Sequence, residues 1–398
     1  MPKIHLSGFI YRFILIERFV NLRPIMPPCP PSSSARIDLV LIGTRGQVGS
    51  AFRRQLAAQQ AALEAGAGLD LRLLATFDRR GLAFDLEGLP PAEVEARLRP
   101  YGEAEREALF ARLREPAATP TVVVDCTAAE AIADRYPEWL AAGVGIATAN
   151  KRANARPLAF YRRLRQLARA QGAPYRFETT VGAAIPLLGP LQEIVLRGER
   201  VHSVQGVLSG SLSFLLERLH AGEAFSAALA EARRLGYTEP DPFEDLHAED
   251  LARKLLVLAR VAGFELENEA LEVEPFCAPP PPHTDEAAFL AAEDRRWRAA
   301  IEAALAVGER YVMLAEVGTA GARVGLRRLP AQHPFATLPA GQNLVRIETE
   351  LQRERPLWLG GPGAGPAITA AGVLGDVIAA ASELRDRRYA SRRFRVAA

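Results

Sequence analysis

A run of leucine and β-branched residues, Ile37–Ile42, is the first segment of the chain with a strand-like hydrophobic pattern. Glycines follow at Gly43, Gly46 and Gly49, and a stretch rich in alanine and leucine with helical periodicity begins at Ser50. Short apolar runs that end in glycine are typical of strands followed by tight turns. The pattern predicts a strand, a glycine turn and a helix.

Three later hydrophobic runs have the same character, at Leu71–Phe77, Thr121–Asp125 and Val144–Thr148. Together with the first run they predict an α/β fold with a Rossmann-type parallel sheet. Lys151 comes just after the last of these runs. Because ligands bind at the carboxyl edge of such sheets, we expect Lys151 to lie near a ligand.

The glycine turn has the spacing G-x-x-G-x-x-G, and Thr44 stands where the first glycine of the dinucleotide-binding pattern G-x-G-x-x-G would fall. Glycines let a pyrophosphate approach the backbone, and free N–H groups at the start of the helix bind the anion. Gly46 and Gly49 are therefore candidate cofactor-binding residues. The alternative is an ordinary turn between a strand and a helix that binds no ligand.

The second predicted strand ends in Asp78-Arg79-Arg80, where dinucleotide-binding folds recognise the adenosine ribose. An acid there accepts a hydrogen bond from the ribose 2′-hydroxyl of NAD, whereas an arginine accommodates the 2′-phosphate of NADP. Because the sequence offers both an acid and arginines here, the choice between NAD and NADP remains open.

An acidic stretch from Gly236 to Lys254 ends on a predicted helix. Two prolines keep residues 239–242 extended, and Asp245 is predicted to be the N-cap of the helix that follows. On this helix Asp250 and Lys254 share a face that borders an apolar stripe, formed by Leu251, Leu255, Leu258 and Ala262. We expect the pair to be partly buried and the acids to form a site for an ammonium group. The alternative is an exposed helix pair.

Only three of the 49 basic residues are lysines, at Lys3, Lys151 and Lys254. Arginine stays protonated in proteins, whereas lysine can lose its proton when burial or a neighbouring cation lowers its pKa. In a chain that otherwise uses arginine for charge, Lys151 and Lys254 are candidates for proton transfer. The alternative is that they remained by chance on solvated surfaces.

The 398 residues are enough for two or three domains, and a hydrophobic content of 49% supports a sizeable core. The net charge of +2, with both signs spread along the chain, gives no reason to expect nucleic acid or a membrane as a partner. The cysteines, Cys29, Cys126 and Cys277, show no metal-binding or redox spacing. We therefore expect a reducing, cytoplasmic location.

Residues 1–35 differ in composition from the rest, with an apolar and basic stretch followed by a Pro/Ser segment. Charged residues interrupt the apolar stretch and leave it too short to span a bilayer. We expect either a disordered leader, such as an organellar targeting segment, or sequence upstream of a true start at Met26. The lack of serine enrichment in the amphipathic part favours the second.

Several motifs occur in an order that resembles the homoserine dehydrogenase family, over nearly all of residues 37–384. They are Asp125-Cys-Thr127, Thr148-Ala-Asn-Lys151, Thr180-Val-Gly-Ala-Ala-Ile-Pro186, Leu208-Ser-Gly-Ser-Leu-Ser213, the stretch from Glu239 to Lys254, Gly361-Pro-Gly-Ala-Gly365 and Thr369-Ala-Ala-Gly-Val-Leu-Gly-Asp376. The resemblance implies NAD(P)-dependent interconversion of L-homoserine and L-aspartate 4-semialdehyde, in the biosynthesis of threonine, methionine and isoleucine.

The resemblance also implies roles for single residues. Lys254 matches the catalytic proton donor, and Lys151 matches a second essential lysine near the nicotinamide and the substrate. The residues that match substrate-binding acids are Glu239 and Asp250, with Asp245 nearby. Those that match cofactor contacts are Gln47, Val48, Thr127, Gly236 and Gly365, beside Gly46, Gly49 and Lys151. A monovalent cation such as sodium is implied, mostly on backbone oxygens, at Glu178, Val181, Ala183 and Ile185.

The implied architecture has an NAD(P)-binding domain at 36–177, an α+β substrate-binding and dimerisation domain at 178–357, and a C-terminal return to the cofactor domain at 358–398. A homodimer is implied through a sheet of the second domain. The chain ends soon after the last predicted helix, so we expect no regulatory domain and no feedback inhibition by threonine through one.

Two other functions compete with this interpretation. One is the aspartate-pathway dehydrogenase that makes the semialdehyde from aspartyl phosphate, which needs a nucleophilic cysteine beyond the cofactor domain. The other is a catalytically silent dinucleotide sensor that binds cofactor without turnover. Both lysines and the surrounding acids are retained, which argues against the sensor.

Overall fold

The structure, a computed structural model, describes residues 34–115, 119–237, 242–278 and 284–396. These residues form two six-stranded sheets with helices packed on them. Residues 1–33 of the predicted leader and the predicted substrate-binding residue Glu239 lie outside the described residues.

The first sheet and its helices form the cofactor-binding unit. The strands are β1 (Ala35–Ile42), β2 (Leu69–Asp78), β3 (Gly81–Leu89), β4 (Thr121–Asp125), β5 (Gly145–Thr148) and β6 (Tyr175–Arg176). The helices are α1 (Gln47–Ala67), α2 (Val94–Arg97), α3 (Glu103–Arg114), α4 (Glu130–Ala133), α5 (Tyr136–Ala141) and α6 (Leu158–Gln171). The strand order is β3-β2-β1-β4-β5-β6, and all neighbouring strands are parallel except β2 and β3. The predicted α/β fold with a parallel sheet is confirmed.

The second sheet forms the centre of a second unit. Its strands are β7 (Val201–Val207), β8 (Leu271–Val273), β9 (Glu309–Gly318), β10 (Gly321–Pro330), β11 (Gln342–Thr349) and β12 (Leu357–Pro362). Its helices are α7 (Leu188–Leu196), α8 (Gly210–His220), α9 (Phe225–Leu235), α10 (Pro242–Leu246), α11 (Glu249–Val261) and α12 (Glu286–Ala306). The order is β12-β11-β7-β9-β10-β8, and the neighbours are antiparallel except β8 and β10.

The last helix, α13 (Pro366–Val396), returns to the first unit and packs against α1 and the parallel sheet. Among the residues of α13 whose burial is described, the buried apolar ones are Ala370, Val373, Leu374, Val377, Ala380 and Ala381. Its segment Pro366–Arg387 is long and apolar enough to cross a membrane by length and composition, with a mean hydropathy of 1.5. Core helices of globular proteins share this property; in α13, 39% of the apolar stretch is buried, on the face that packs against α1 and the parallel sheet.

The chain passes between the two units twice, once after β6 and once between β12 and α13. The second passage begins after Pro362, because residues 357–362 still belong to the second sheet, whereas the predicted boundary lies at 357/358. The two passages lie side by side. The backbone N–H of Glu178 donates to Asp376 Oδ2 at 3.0 Å, and Gly372 packs closely against Thr179.

Alternate residues of the parallel strands pack into two different cores. Ile37, Leu39 and Leu41 of β1 contact the core beneath α1 and α13, whereas Val40 and Ile42 belong to the core beneath α3 and α5. Because both faces are covered, these strands are apolar at nearly every position. This explains why β1, β2, β4 and β5 could be recognised as hydrophobic runs.

Candidate active site

Lys151 and Lys254 meet at a single carboxylate. Lys151 Nζ lies 2.6 Å from Asp250 Oδ1, and Lys254 Nζ lies 2.9 Å from Asp250 Oδ2. Lys254 Nζ also donates to the carbonyl oxygen of Leu208 at 2.7 Å. The cluster joins the carboxyl edge of the parallel sheet, through Lys151, to α11 of the second unit. The two candidate catalytic lysines are therefore together, bridged by a predicted substrate-binding acid.

Burial and charge act in opposite directions on the pKa values of this cluster. Burial lowers the pKa of Lys151, and the charge of Lys254 lowers it further. The negative charge of Asp250 raises this pKa but does not offset the other two effects. Burial alone would raise the pKa of Asp250, but the charges and hydrogen bonds of the two lysines hold it well below its usual range. Asp250 therefore stays ionised near neutral pH, and a partly buried amine with a lowered pKa can exchange a proton.

Helix α11 carries two members of the cluster, and its apolar stripe is buried as predicted, at Leu251, Leu255, Leu258 and Ala262. The predicted N-cap at Asp245 is wrong, because Pro242 starts the separate short helix α10, which includes Asp245. Ala248, at a φ of 60°, is the N-cap of α11. The Asp245 carboxylate accepts a hydrogen bond from Ser211 Oγ at 2.9 Å.

A buried polar network fixes the turn that carries Lys151. Asp125, at the end of β4, accepts hydrogen bonds from the Tyr136 hydroxyl at 2.6 Å and from Asn150 Nδ2 at 3.0 Å. The backbone N–H of Asn150 donates to Thr148 Oγ1 at 2.8 Å. The residue before Lys151 is therefore held from both sides. Tyr136 was not a sequence candidate, since no motif pointed to it.

The predicted dinucleotide turn lies at the carboxyl ends of β1 and β2, beside the loop after β4. It borders a cavity of about 800 Å³ that Gly43, Gly46, Asp78 and Thr127 help to line. Gly46 is the N-cap of α1, and among the described residues no side chain caps this helix start. The N–H groups of Gln47, Val48 and Gly49 in the first turn of α1 are therefore suited to an anion.

Two close approaches show why this turn needs glycine. Gly43 has a φ of 89°, and a Cβ there would lie 3.0 Å from Thr127 Cγ2. A Cβ on Gly49 would lie 2.2 Å from the carbonyl oxygen of Gly43. Although the glycine spacing differs from the usual pattern, the turn is still tight. A tight turn fits the close approach of a dinucleotide phosphate.

The substitution Gly49→Ala is expected to weaken NADPH binding at least tenfold and to destabilise the protein by about 1–3 kcal/mol. The new methyl group would collide with backbone atoms of Gly43, which cannot move without opening the turn. Titration of NADPH fluorescence and thermal unfolding measure the two effects. Gly375→Ala in α13, where a Cβ meets nothing within 4 Å, is the control and should bind NADPH normally. Normal binding by Gly49→Ala would contradict the assignment of this turn.

Arg45, which was not a sequence candidate, reaches from the glycine turn to the end of β2. Its Nε and Nη2 atoms contact Asp78 Oδ2 and Oδ1 at 2.6 and 2.5 Å. The hydrogen bonds from Arg45, aided by the backbone N–H groups of Arg80 and Gly81, lower the pKa of Asp78 to about 2. Opposite charges at neighbouring strand ends were the signal that could have indicated this pair.

The remaining predicted cofactor contacts lie at turns. The backbone N–H of Thr127 donates to Asp125 Oδ1 at 2.8 Å, which fixes the loop that lines the cavity. Gly365, at a φ of 128°, precedes α13, and its carbonyl oxygen accepts the N–H of Thr369. Gly236, at a φ of 72°, ends α9 and is not among the described residues that line the cavity.

The predicted cation residues form one loop before α7. The carboxylate of Glu178 accepts the backbone N–H groups of Leu187, Leu188 and Gly189, each at 2.6 Å, so it caps that helix. Ala183 has a φ of 54°, which turns the loop. Within the described residues, no hydrogen bond reaches the carbonyl oxygens of Val181, Ala183 and Ile185. Any cation here would therefore depend on backbone oxygens, as the resemblance implied.

The two cysteines in the described part of the chain are poorly suited to nucleophilic catalysis. Burial raises the pKa of the Cys126 thiol well above its usual range and that of Cys277 to about 12. A thiol is reactive as its thiolate, which both environments disfavour.

Comparison with known proteins assigns both units to one family. The sequence profile of homoserine dehydrogenase matches residues 186–378, and that of the homoserine dehydrogenase NAD-binding domain matches residues 45–178. Among solved structures, a Candida auris protein of unknown function has a TM-score of 0.78 at 31% identity, covering 88% of this chain and 99% of that one. A hyperthermophilic archaeal homoserine dehydrogenase in complex with NADPH has a TM-score of 0.68 at 24% identity, over 87% and 97%.

Curated relatives agree with the profiles. Bifunctional aspartokinase/homoserine dehydrogenase 2, chloroplastic, of Zea mays is 35% identical over 364 residues, which cover 88% of this chain but only 39% of that protein. Homoserine dehydrogenase of Schizosaccharomyces pombe is 34% identical over 286 residues, which cover 67% of this chain and 74% of that protein. Since the profiles match both units and this relative is aligned over most of its own length, the chain belongs to the homoserine dehydrogenase family.

Proposed function

We propose that the chain catalyses the reversible NAD(P)-dependent reduction of L-aspartate 4-semialdehyde to L-homoserine. The observation that carries the proposal is the Lys151–Asp250–Lys254 cluster at the carboxyl edge of a dinucleotide-type sheet. Such a cluster supplies a proton beside the place where the cofactor binds. Family membership and the S. pombe relative support the same reaction.

The protein's part in this reaction is to hold the reactants and to move one proton. A bound nicotinamide would supply or accept the hydride at the substrate carbon. In the reducing direction Lys254 Nζ donates a proton to the forming alkoxide, and in the oxidising direction its neutral form accepts the hydroxyl proton. The contacts with Asp250 and the Leu208 carbonyl fix the position of Nζ for both steps.

The acids near the cluster are proposed to hold the amino-acid part of the substrate. Each oxygen of Asp250 receives one lysine, so each retains a lone pair for a substrate ammonium group. The Asp250 side chain is 41% exposed, which leaves it accessible to a ligand. Asp245 and Glu239 are proposed as further partners of the same ammonium group.

A monovalent cation such as sodium is proposed in the loop of residues 178–185. The support is the set of carbonyl oxygens at Val181, Ala183 and Ile185, which receive no hydrogen bond from the described residues. Hard cations prefer such oxygen ligands. Activity that does not change when sodium is replaced by a large organic cation would contradict this assignment.

A homodimer is proposed through the second sheet. One face of the sheet packs on helices, whereas the other carries half-buried polar side chains, among them Gln205, Glu316 and Arg346. Arg346 Nη1 donates to Gln205 Oε1 at 3.2 Å, and the polar groups on this face support the proposal that it pairs with a second copy. Sedimentation at micromolar concentration should give twice the monomer mass, and a monomer there would refute the proposal.

The direct test of the function is an assay with L-aspartate semialdehyde and NADPH or NADH, followed by the absorbance of the reduced nicotinamide. We expect oxidation of the cofactor without added phosphate and formation of homoserine. Activity that depends on phosphate would favour the acylating dehydrogenase, and binding of NADPH without turnover would favour the silent sensor. The high pKa values of both described cysteines already argue against the acylating enzyme.

The pH dependence should differ between the two directions. Homoserine oxidation needs a neutral lysine, so its kcat/KM is expected to rise with pH, and semialdehyde reduction is expected to fall over the same range. The pKa of Lys151, which shares Asp250 with Lys254, is lowered by burial, so any contribution of Lys151 to this profile should lie below the ordinary lysine value of 10.5. Initial rates from pH 6 to 11 measure it. A profile for oxidation without a decrease toward neutral pH would exclude lysine as the base.

A further inference from the structure

The contact between Arg45 and Asp78 changes what the adenosine end of the cavity can bind. The Asp78 carboxylate receives four donors: Nε and Nη2 of Arg45 at 2.6 and 2.5 Å, and the N–H groups of Arg80 and Gly81 at 2.8 and 3.2 Å. A carboxylate has about four acceptor positions. Three of these donors reach Oδ1 and one, Arg45 Nε, reaches Oδ2, so a ribose 2′-hydroxyl would have to share Oδ2 with the Arg45 guanidinium.

The same end of the cavity carries an excess of positive charge. Arg79 and Arg80 line it and are exposed, and Arg106 lines it while contacting Glu103 at 2.9 Å. Arg45 uses only part of its guanidinium on Asp78, so its remaining N–H groups are available to a ligand. Arginine forks of this kind match the oxygen spacing of phosphate.

The position of Arg45 follows from the altered glycine turn. Two residues, Thr44 and Arg45, separate Gly43 from Gly46, where the usual pattern has a single residue between its first two glycines. The turn keeps its tight approach at Gly49, so the altered spacing places an arginine at the rim without opening the phosphate cradle. Arg45 lies 30% exposed beside the end of β2.

We propose that Arg45 makes this cavity selective for NADP(H) over NAD(H), by binding the 2′-phosphate together with Arg79 and Arg80 while its ion pair competes with the ribose for Asp78. The proposal rests on the proposed function only in requiring that the cavity binds a dinucleotide. In this proposal the altered glycine turn also recognises the 2′-phosphate of the cofactor, through Arg45.

The test measures binding without turnover, in the full-length protein. Fluorescence titration gives the Kd of NADPH and NADH, and calorimetry compares adenosine 2′,5′-bisphosphate with AMP. For Arg45→Ala we expect at least tenfold weaker binding of the two 2′-phosphorylated ligands, with NADH and AMP unchanged or tighter, because Asp78 is then free to accept the ribose hydroxyl. Arg45→Lys should lie between Arg45→Ala and wild type, since it keeps charge without the fork.

Arg36→Ala is the matched control, because Arg36 pairs with Asp38 at 2.9 Å on β1, at the other end of the strand. It should leave all four affinities unchanged. Equal loss of NADPH and NADH in Arg45→Ala, no loss, or a selective loss of NADH would each overturn the proposal. Failure of wild type to bind either dinucleotide would instead refute the proposed function and the inference with it. Selective NADPH binding without semialdehyde reduction would refute the proposed function alone.

Discussion

Replacing Lys254 with arginine is expected to lower turnover with homoserine by about 10²–10⁴-fold, with NADPH binding close to wild type. Arginine keeps a positive charge beside Asp250 but cannot give up its proton at any working pH. It can therefore neither accept the hydroxyl proton nor donate one to the alkoxide. The Lys254 side chain is only 14% exposed, so few other bases can reach the same point. Steady-state oxidation of homoserine measures the loss, and fluorescence titration measures binding.

The control for this experiment is Arg253→Lys on the same helix. Arg253 contacts Glu249 at 2.6 Å in an exposed pair, which typically contributes little to stability. Its kinetics should match those of wild type. If Lys254→Arg keeps more than a tenth of the turnover, Lys254 is an electrostatic anchor and the proton belongs to another group.

The substitution Asp250→Asn is expected to reduce homoserine oxidation by about 10²-fold, because both lysines lose the carboxylate that positions them. Without it, two ammonium groups face each other, and the pKa of Lys151 should decrease further. The alkaline limb of the pH profile should therefore shift to lower pH as the maximal rate decreases. A merely structural role for Asp250 would lower the rate without moving the limb.

Glu249→Gln provides the matched control, since it makes the same chemical change one residue earlier. Glu249 contacts Arg253 and lies on the exposed side of the helix. We expect unchanged rates and an unchanged pH profile for it. Thermal unfolding of both variants separates a loss of folded protein from a loss of chemistry. An Asp250→Asn protein with normal rates would show that the lysines do not need the bridge.

The parallel sheet could be predicted because its strands are buried on both faces and are thus apolar almost throughout. The edge strand β3 was missed, since its second half alternates with polar residues such as Asp85 and Glu87 and it pairs in a hairpin with β2. The second sheet was predicted only as part of an α+β domain. Its strands pair across long sequence separations, as β7 does with β11, and no local pattern indicates that pairing.

The site was predictable where its residues share one element and less so where they do not. Asp250 and Lys254 are four residues apart on one helix, and their contact followed from helical geometry. Lys151 was expected near the nicotinamide and the substrate, but the sequence could not show that it reaches the same carboxylate from another element. The contact between Arg45 and Asp78 was missed because it depends on how the altered turn folds toward β2.

The two passages of the chain between the units restrict how the molecule can move. A domain on a single linker can rotate in any direction, whereas here both connections are joined at Glu178 and Asp376. Two adjacent connections of this kind oppose sliding and twisting more than bending, so we expect any relative motion to be bending about them. The ion pair of Lys151 and Asp250 joins the two units, so such bending would lengthen it. We therefore expect the admission of the substrate to be coupled to the assembly of the proton-transfer group.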